Sequence, residues 1–266
     1  MTKTKTCVVA VEEGLLDLAG EREPGRVGLS STFRCLRGQG YEALGLPQSD
    51  PPDAGAMVAF ETGHAMEEVV IRAMERGGLT VSDRQRHVNL FVGHDCADVF
   101  PARVCEADAG GARHCGADIP AGCVPGHLDG TLGRGAVVVD AKAYAECGVK
   151  KLVEDGAPDD SYFGKCQVGQ LTAYLAALKA EGEPAEYAKI VAVNKAASKG
   201  GGRYKLPAVV EVDIDYDPAL AAEATAFWRA VAAQKRAGAV IDRPFTRDSL
   251  ACRYCSQESR CWGGAR

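Results

Sequence analysis

The chain has 266 residues, 46% hydrophobic and 25% charged, with a formal net charge of −5. That balance describes a globular protein with a sizeable core, and it excludes a disordered chain, a fibrous repeat and an indiscriminate polycationic nucleic-acid binder. The eleven cysteines, with neither a secretory leader nor an apolar run long enough to span a bilayer, point to a reducing cytoplasm and to metal ligation rather than disulfides.

Residues 1–27 precede the core pattern, end in Glu21-Arg22-Glu23-Pro24-Gly25, and are expected to form a loosely packed arm; 28–266 then make one domain. Cys35 stands early in it, inside Ser30-Ser31-Thr32-Phe33-Arg34-Cys35-Leu36-Arg37. From about 52 to 76 the pattern predicts a helix ended by a left-handed cap at Gly77-Gly78. One face reads Phe60, Gly63, Glu67, Val70, Met74, which sets the Glu67 carboxylate within an apolar stripe, while Glu68 falls on a more polar face. A strand is predicted at 86–92. The insertion 94–123 carries Cys96, Cys105, Cys115 and Cys123 with His94 and His114. Their spacings match no metal-ligand pattern, so incidental thiols are preferred over a zinc site.

Strands at 124–132 and 136–143 read as a hairpin around Gly133-Arg134-Gly135. The second holds Val137-Val138-Val139 followed by Asp140-Ala141-Lys142, an apolar run of the kind buried on both faces and then a charged pair. An ionised carboxylate entering a dry environment requires a cation or several donors. Side chains alternate along a strand, so Asp140 and Lys142 share a face. Asp129 joins them if a tight loop at Arg134-Gly135 pairs it with Asp140, and a one-residue slip would turn it away.

A helix is predicted at 161–181, with an apolar stripe of Gly164, Val168, Leu171, Leu175 and Leu178 beside a polar edge of Gln167, Gln170 and Tyr174. Such an edge offers uncharged donors, acceptors and an aromatic face. A strand at 187–194, a basic loop at 195–204, a strand at 208–215 and a helix at 218–237 follow. The chain closes on Cys252-x2-Cys255-x5-Cys261, and together with Cys35 these residues would tie the two ends through one metal centre. Four thiolates suit zinc or an iron–sulfur cluster, and spacing alone leaves both open.

The order helix, three strands, helix, strand, with Glu67 on the first helix, Asp129 and Asp140-x-Lys142 on paired strands and Gln170-x3-Tyr174 on the next helix, closely resembles the PD-(D/E)xK nuclease superfamily. With Cys35, Cys252, Cys255 and Cys261 it is similar to the RecB-like branch that carries a [4Fe-4S] cluster, which includes CRISPR-associated, AddB-type and phage exonucleases. The resemblance covers about residues 28–262 and implies a restriction-endonuclease-like αβββαβ core, an α/β fold with a mixed sheet whose terminal segments are joined by the cluster. Two positions depart from the pattern. Glu67 stands where many RecB-like members have histidine, and a glutamate there instead resembles the phage recombination exonucleases of the superfamily, with His64 one residue after the glycine; and Asp140 replaces the commoner glutamate.

The resemblance further implies that Glu67, Asp129, Asp140 and the Ala141 carbonyl hold Mg2+ or Mn2+, that Lys142 assists the attacking water, and that Gln167, Gln170 and Tyr174 position the strand. The implied protein is a metal-dependent DNA exonuclease acting on single strands or ends, with recombination, repair or CRISPR-adaptation proteins as partners. The alternative is a non-catalytic iron–sulfur DNA-binding subunit of a larger helicase–nuclease or integration complex. Lys150, Lys151, Lys189, Lys195, Lys199, Arg203 and Lys205 are candidates for a local basic patch on an otherwise acidic protein.

Overall fold

The computed structural model describes residues 7–20, 27–101, 103–104, 118–119, 121–133, 135–156, 158, 161–197 and 205–264. The central sheet is built around β6, Val137–Tyr144. It pairs antiparallel with β5, Gly130–Leu132, and in parallel with β7, Tyr187–Asn194. β8, Val209–Asp215, closes the other edge antiparallel to β7, so the four-stranded sheet is mixed, as expected. A parallel neighbour requires a crossover. It contains α4, Glu146–Asp155, which the sequence pattern did not reveal, and α5, Tyr162–Ala180.

Alternation along β6 sorts the core into two layers. Val138 faces the larger layer, with Leu171, Leu175 and Leu178 of α5 and with Trp228 of α6, Pro218–Ala237. Val139 and Ala141 face the smaller layer, with Val70 and Ile71 of α3, Ala54–Arg76. Helix starts are capped by Asp53, Ser161 and Asp217, whose side chains accept from backbone N–H groups left without helical partners. At the end of α3 the left-handed residue is Gly78, one position after the capping residue Gly77. Phe60, expected on the buried face, is 41% exposed, because the face that meets the sheet is set by Met57, Val70 and Ile71.

The predicted strand at 124–132 is two strands. β4, Cys123–His127, pairs antiparallel with β1, His87–Phe91; the chain then changes partner and pairs with β6 as β5. Leu128 and Asp129 make the change, with Leu128 fully buried. The expected register holds: Gly130 stands opposite Val139, so continuation brings Asp129 opposite Asp140. Pairing stops at Leu132 and Val137, giving a longer turn than the two-residue loop expected, with Arg134 outside the described residues.

The segment 7–20 is a helix, α1, packed on α3, with Val11 and Leu16 largely exposed; residues 1–6 and 21–26 of the expected arm lie outside the described residues. From the insertion, the backbones of β2, Arg103–Val104, and β3, Asp118–Ile119, form a small antiparallel pair. Cys96 and Cys123 are buried, while Cys105, His114 and Cys115 lie outside the described residues. No helix among the described residues is long and apolar enough to cross a membrane.

The two ends of the domain meet. Around Cys35, the Trp228 indole N–H donates to the Thr32 hydroxyl at 3.1 Å, and Phe33 packs over Gly169 of α5, where a Cβ would clash. α2, Leu36–Ala43, packs on α6 and leads to Asp50. The Asp50 carboxylate accepts from the Ser259 N–H at 2.7 Å and from the Ser259 hydroxyl, and the Asp50 N–H donates to the Ser256 carbonyl at 3.0 Å. Partial burial works against the Asp50 anion, but the Ser259 and Ser49 donors outweigh it and hold its pKa below the ordinary carboxylate value. A depressed folded-state pKa contributes stability that is present above the unfolded value near 3.9 and lost as the pH falls through the folded one. Asp50→Ala should therefore cost about 1–2 kcal/mol at pH 7. The deficit against wild type, measured by urea unfolding, should narrow below about pH 4.

Candidate active site

Asp129, Asp140 and Lys142 meet where the buried run of β6 ends. Asp140 is 2% exposed, its Oδ1 accepts from Lys142 Nζ at 2.6 Å, and its Oδ2 is buried with no hydrogen-bond partner. Asp129 Oδ2 accepts from the Ala141 N–H at 2.7 Å. Glu67 reaches the same neighbourhood from α3 and accepts from the Gln85 side-chain amide. A cleft of about 370 Å³ opens beside these groups, lined by His64, Glu67, Glu68, Arg84, Gln85 and Asp129.

The electrostatics of the cluster follow from like charges held in a dry place. Burial pushes the Asp129 carboxyl well above its ordinary value; Asp140 and then Glu67 push it further, against Lys142 and the Ala141 N–H. Burial disfavours the Lys142 ammonium, yet Asp140 and Asp129 outweigh that and raise its pKa, so Lys142 is a fixed cation and not a proton acceptor. Burial and then Asp140 raise the Tyr174 hydroxyl, which keeps it a neutral phenol. Tyr174 is 3% exposed and lies over β4 where Gly126 has no side chain; a Cβ there would come within 2.6 Å of the ring. Gln170 donates to the Tyr174 oxygen at 2.9 Å, and the Tyr144 hydroxyl donates to Gln167 at 2.6 Å.

Each carboxylate is thus held by a separate donor. Among the described residues no three His, Cys, Asp or Glu side chains close around one point tightly enough to hold a metal ion. The donor set still matches a hard divalent cation: carboxylate oxygens, an adjacent main-chain carbonyl at Ala141, and one buried carboxylate oxygen of Asp140 with no partner.

Gln85 carries no periodic signal. Asp83 and Gln85 both adopt positive φ, at 51° and 54°, and Thr131 donates to Asp83 at 2.8 Å, so this turn is held against the hairpin and aims Gln85 at Glu67. The polar run from Ser82 to Arg86 ahead of β1 was the available hint. Glu68 faces Arg72 and Arg84. His64 lines the cleft with its side chain 69% exposed. Of the basic patch candidates, Lys189 is engaged by Asp213 at 2.7 Å and Glu211 at 3.1 Å, and Lys150 pairs with Glu154. Lys151, Lys195 and Lys205 are exposed, whereas Lys199 and Arg203 lie outside the described residues.

A second cluster joins the chain ends. Cys35 stands at the start of α2, Cys252 in α7, Leu250–Arg253, Cys255 just beyond it, and Cys261 in α8, Glu258–Trp262. Cys35 and Cys255 flank Gly38, where a Cβ would lie 3.9 and 3.6 Å from their sulfurs. Burial pushes the Cys255 thiol up to about 12, with Cys35, Cys252 and Cys261 adding to it against a Gln257 N–H. Burial likewise raises Cys35, which the Gly38 and Arg37 N–H groups oppose. The four thiols are thus near enough to act on one another, and backbone N–H groups of Arg37, Gly38 and Gln257 oppose the effect of burial.

No protein-family model and no curated protein matches the chain. Among solved structures it is similar to the crystal structure of SSO0001, at 12% identity and a TM-score of 0.51 over 98% of this chain and 99% of that one. That likeness shows a shared fold along the full length. It is also similar to an alkaline exonuclease (LHK-Exo) from Laribacter hongkongensis, at 12% identity and TM-score 0.43 over 85% and 93% of the two chains. The structure of LHK-Exo in complex with dAMP gives 13%, 0.44, 85% and 95%. Overlap at that level does not bear on activity.

Because Asp129 has a raised folded-state pKa, stability is fully present below the unfolded value near 3.9 and is lost as the pH rises through the folded one. In divalent-free buffer at pH 7, Asp129→Asn keeps an oxygen for the Ala141 N–H and removes the repulsion. It should melt about 2–4 °C above wild type, corresponding to about 1 kcal/mol. The two melting curves should converge near pH 4.

Proposed function

We propose that the chain is a metal-dependent deoxyribonuclease, an exonuclease hydrolysing phosphodiester bonds in DNA strands or ends. The pairing of buried Asp129 and Asp140 beside the fixed ammonium of Lys142 carries this reading. Two carboxylates forced together in a dry place call for a second cation, and Lys142 satisfies only one oxygen of Asp140. Glu67, Asp129, Asp140 and the Ala141 carbonyl would hold magnesium or manganese. Such an ion supplies charge to a phosphate oxygen and lowers the pKa of a bound water.

The remaining work falls to this chain's own side chains. Lys142, locked as a cation, orients water and meets charge that develops on the phosphate. Tyr174, kept protonated, and Gln170 fix the face of α5 that borders the acids. Gln85 holds the Glu67 carboxylate toward the cleft. The 370 Å³ opening admits the end of a strand. The mean acidity of the protein is compatible with this role, since bound cations offset the acids that must approach a polyanion.

The cysteines would hold a [4Fe-4S] cluster. Four thiolates would equally suit a single zinc ion, and the metal content of the purified protein distinguishes the two. A cluster takes one thiolate per iron, and Cys35, Cys252, Cys255 and Cys261 supply four. Its role would be structural, clamping the C-terminal segment onto α2. In the cell such an enzyme would act in phage or prokaryotic recombination, repair or CRISPR adaptation.

A fluorescent single strand incubated with magnesium should be shortened by the wild type and left intact by Asp140→Ala, with a rate loss of at least about a hundredfold. Equal degradation by both, or none by either, overturns the nuclease reading and leaves the non-catalytic binding subunit in its place. Anaerobically purified wild type should be brown with iron bound. Cys255→Ala should lose that colour and unfold more readily, whereas a colourless variant of unchanged stability would refute the clamp.

A further inference from the structure

The surface beside the cysteine cluster carries exposed aromatic rings that the hydrolytic site does not use. Tyr254, next to Cys255, is 73% exposed, and Phe163 in the first turn of α5 is 41% exposed. Their rings meet edge to face with centroids 5.2 Å apart, and Tyr162 stands behind Phe163 at 5.4 Å. Two arginines frame the pair. Arg34 lines the same small recess as Tyr254 and Tyr162, and Arg253 precedes Tyr254; both are exposed and neither makes an ion pair among the described residues. Water-facing rings framed by cations are suited to unstacked bases on a phosphate backbone.

The patch is continuous with the acids. Phe163, Gln167, Gln170 and Tyr174 are spaced four, three and four residues apart, one stripe of α5. The facing row on β6 is Asp140, Lys142, Tyr144, and the two rows are stitched by the Tyr144–Gln167 hydrogen bond at 2.6 Å and by the electrostatic coupling of Tyr174 to Asp140 and Lys142. Exposure rises along the stripe, from Tyr174 at 3% to Phe163 at 41%. Eleven residues of helix separate the two ends, about 16 Å at ~1.5 Å per residue.

We propose that Phe163 and Tyr254, with Arg34 and Arg253, form a stacking platform that grips the unpaired bases of a single DNA strand whose scissile phosphate lies at Asp129, Asp140 and Lys142. The assignment rests on the nuclease reading for the position of that phosphate. It selects single strands over duplex, because paired bases offer no free faces. It also sets a length threshold: an extended single strand covers about 6 Å per nucleotide, roughly twice the ~3.4 Å rise of a strand in a duplex, so one of fewer than about three nucleotides cannot reach from the acids to the rings.

The test uses 5′-labelled oligothymidylates of 2 and 20 nucleotides in fluorescence anisotropy with the full-length Asp140→Asn protein and magnesium. The comparison is between that background alone and the same protein carrying Phe163→Ala and Tyr254→Ala, with Phe163→Tyr and Tyr254→Phe as the ring-preserving pair. The alanine pair should weaken binding of the 20-mer roughly tenfold or more and leave the dinucleotide unchanged; the ring-preserving pair should bind as the background does. In the Asp140-intact enzyme the alanine pair should raise KM for the 20-mer with kcat retained. Unchanged 20-mer affinity in the alanine pair, or equal loss for both lengths, would overturn the platform. Strand cleavage by wild type with unaltered affinity in the alanine pair sinks the platform and spares the nuclease. Ring-dependent binding without cleavage by wild type does the reverse.

Discussion

The cost of placing Asp129 and Asp140 side by side, at the end of a strand buried on both faces, governs the rest of the molecule. Val138 and Val139 commit β6 to the middle of the sheet, and the next residue is a carboxylate with nowhere to reach water. Lys142 on the same face satisfies one oxygen, and the backbone N–H of Ala141 is given to Asp129. A globular fold can carry such a cluster only where the surrounding packing over-determines it. Here the mixed sheet does so, with β5 and β7 on the flanks and α3 and α5 on the two faces.

The change of partner between β4 and β5 follows from the same requirement. A single strand continuing from Cys123 to Leu132 would keep its ladder with β1 and leave the β6 edge unpaired. By turning at Leu128 and Asp129 the chain serves both sheets and spends the irregular position on the residue whose side chain, rather than backbone, takes the Ala141 N–H. The turn at Asp83–Gln85, with two residues at positive φ, is the matching irregularity opposite it. Gln85 from one bend and Asp129 from the other line the same cleft.

A second organising contact lies at the chain ends. Asp50, Ser256 and Ser259 join by hydrogen bonds, Phe33 anchors on Gly169, and the four cysteines converge between α2 and the last two helices. α5 connects this end to the acids. Its first turn touches the aromatic and cysteine region, its middle carries Gln167 and Gln170, and its buried part sets Tyr174 against Asp140 and Lys142. One helix therefore transmits the geometry of both clusters.

Periodicity determined much of this. Helices at Ala54–Arg76 and Tyr162–Ala180, strands at Val137–Tyr144 and Tyr187–Asn194, and the 129-to-140 register were legible, because alternation and caps act over a few residues. The charged pair following an apolar run marked Asp140 and Lys142 for the same reason. The helix at Glu146–Asp155, the helical form of residues 7–20 and the exposure of Phe60 were not legible, since each depends on which neighbour covers which face. Nor could local pattern reveal Gln85 against Glu67, or the orphaned oxygen of Asp140, or Tyr254 beside Phe163. Sequence spacing states which side chains can share a face of one element; which faces of different elements meet is decided only when burial and backbone hydrogen bonding are satisfied for the whole chain at once.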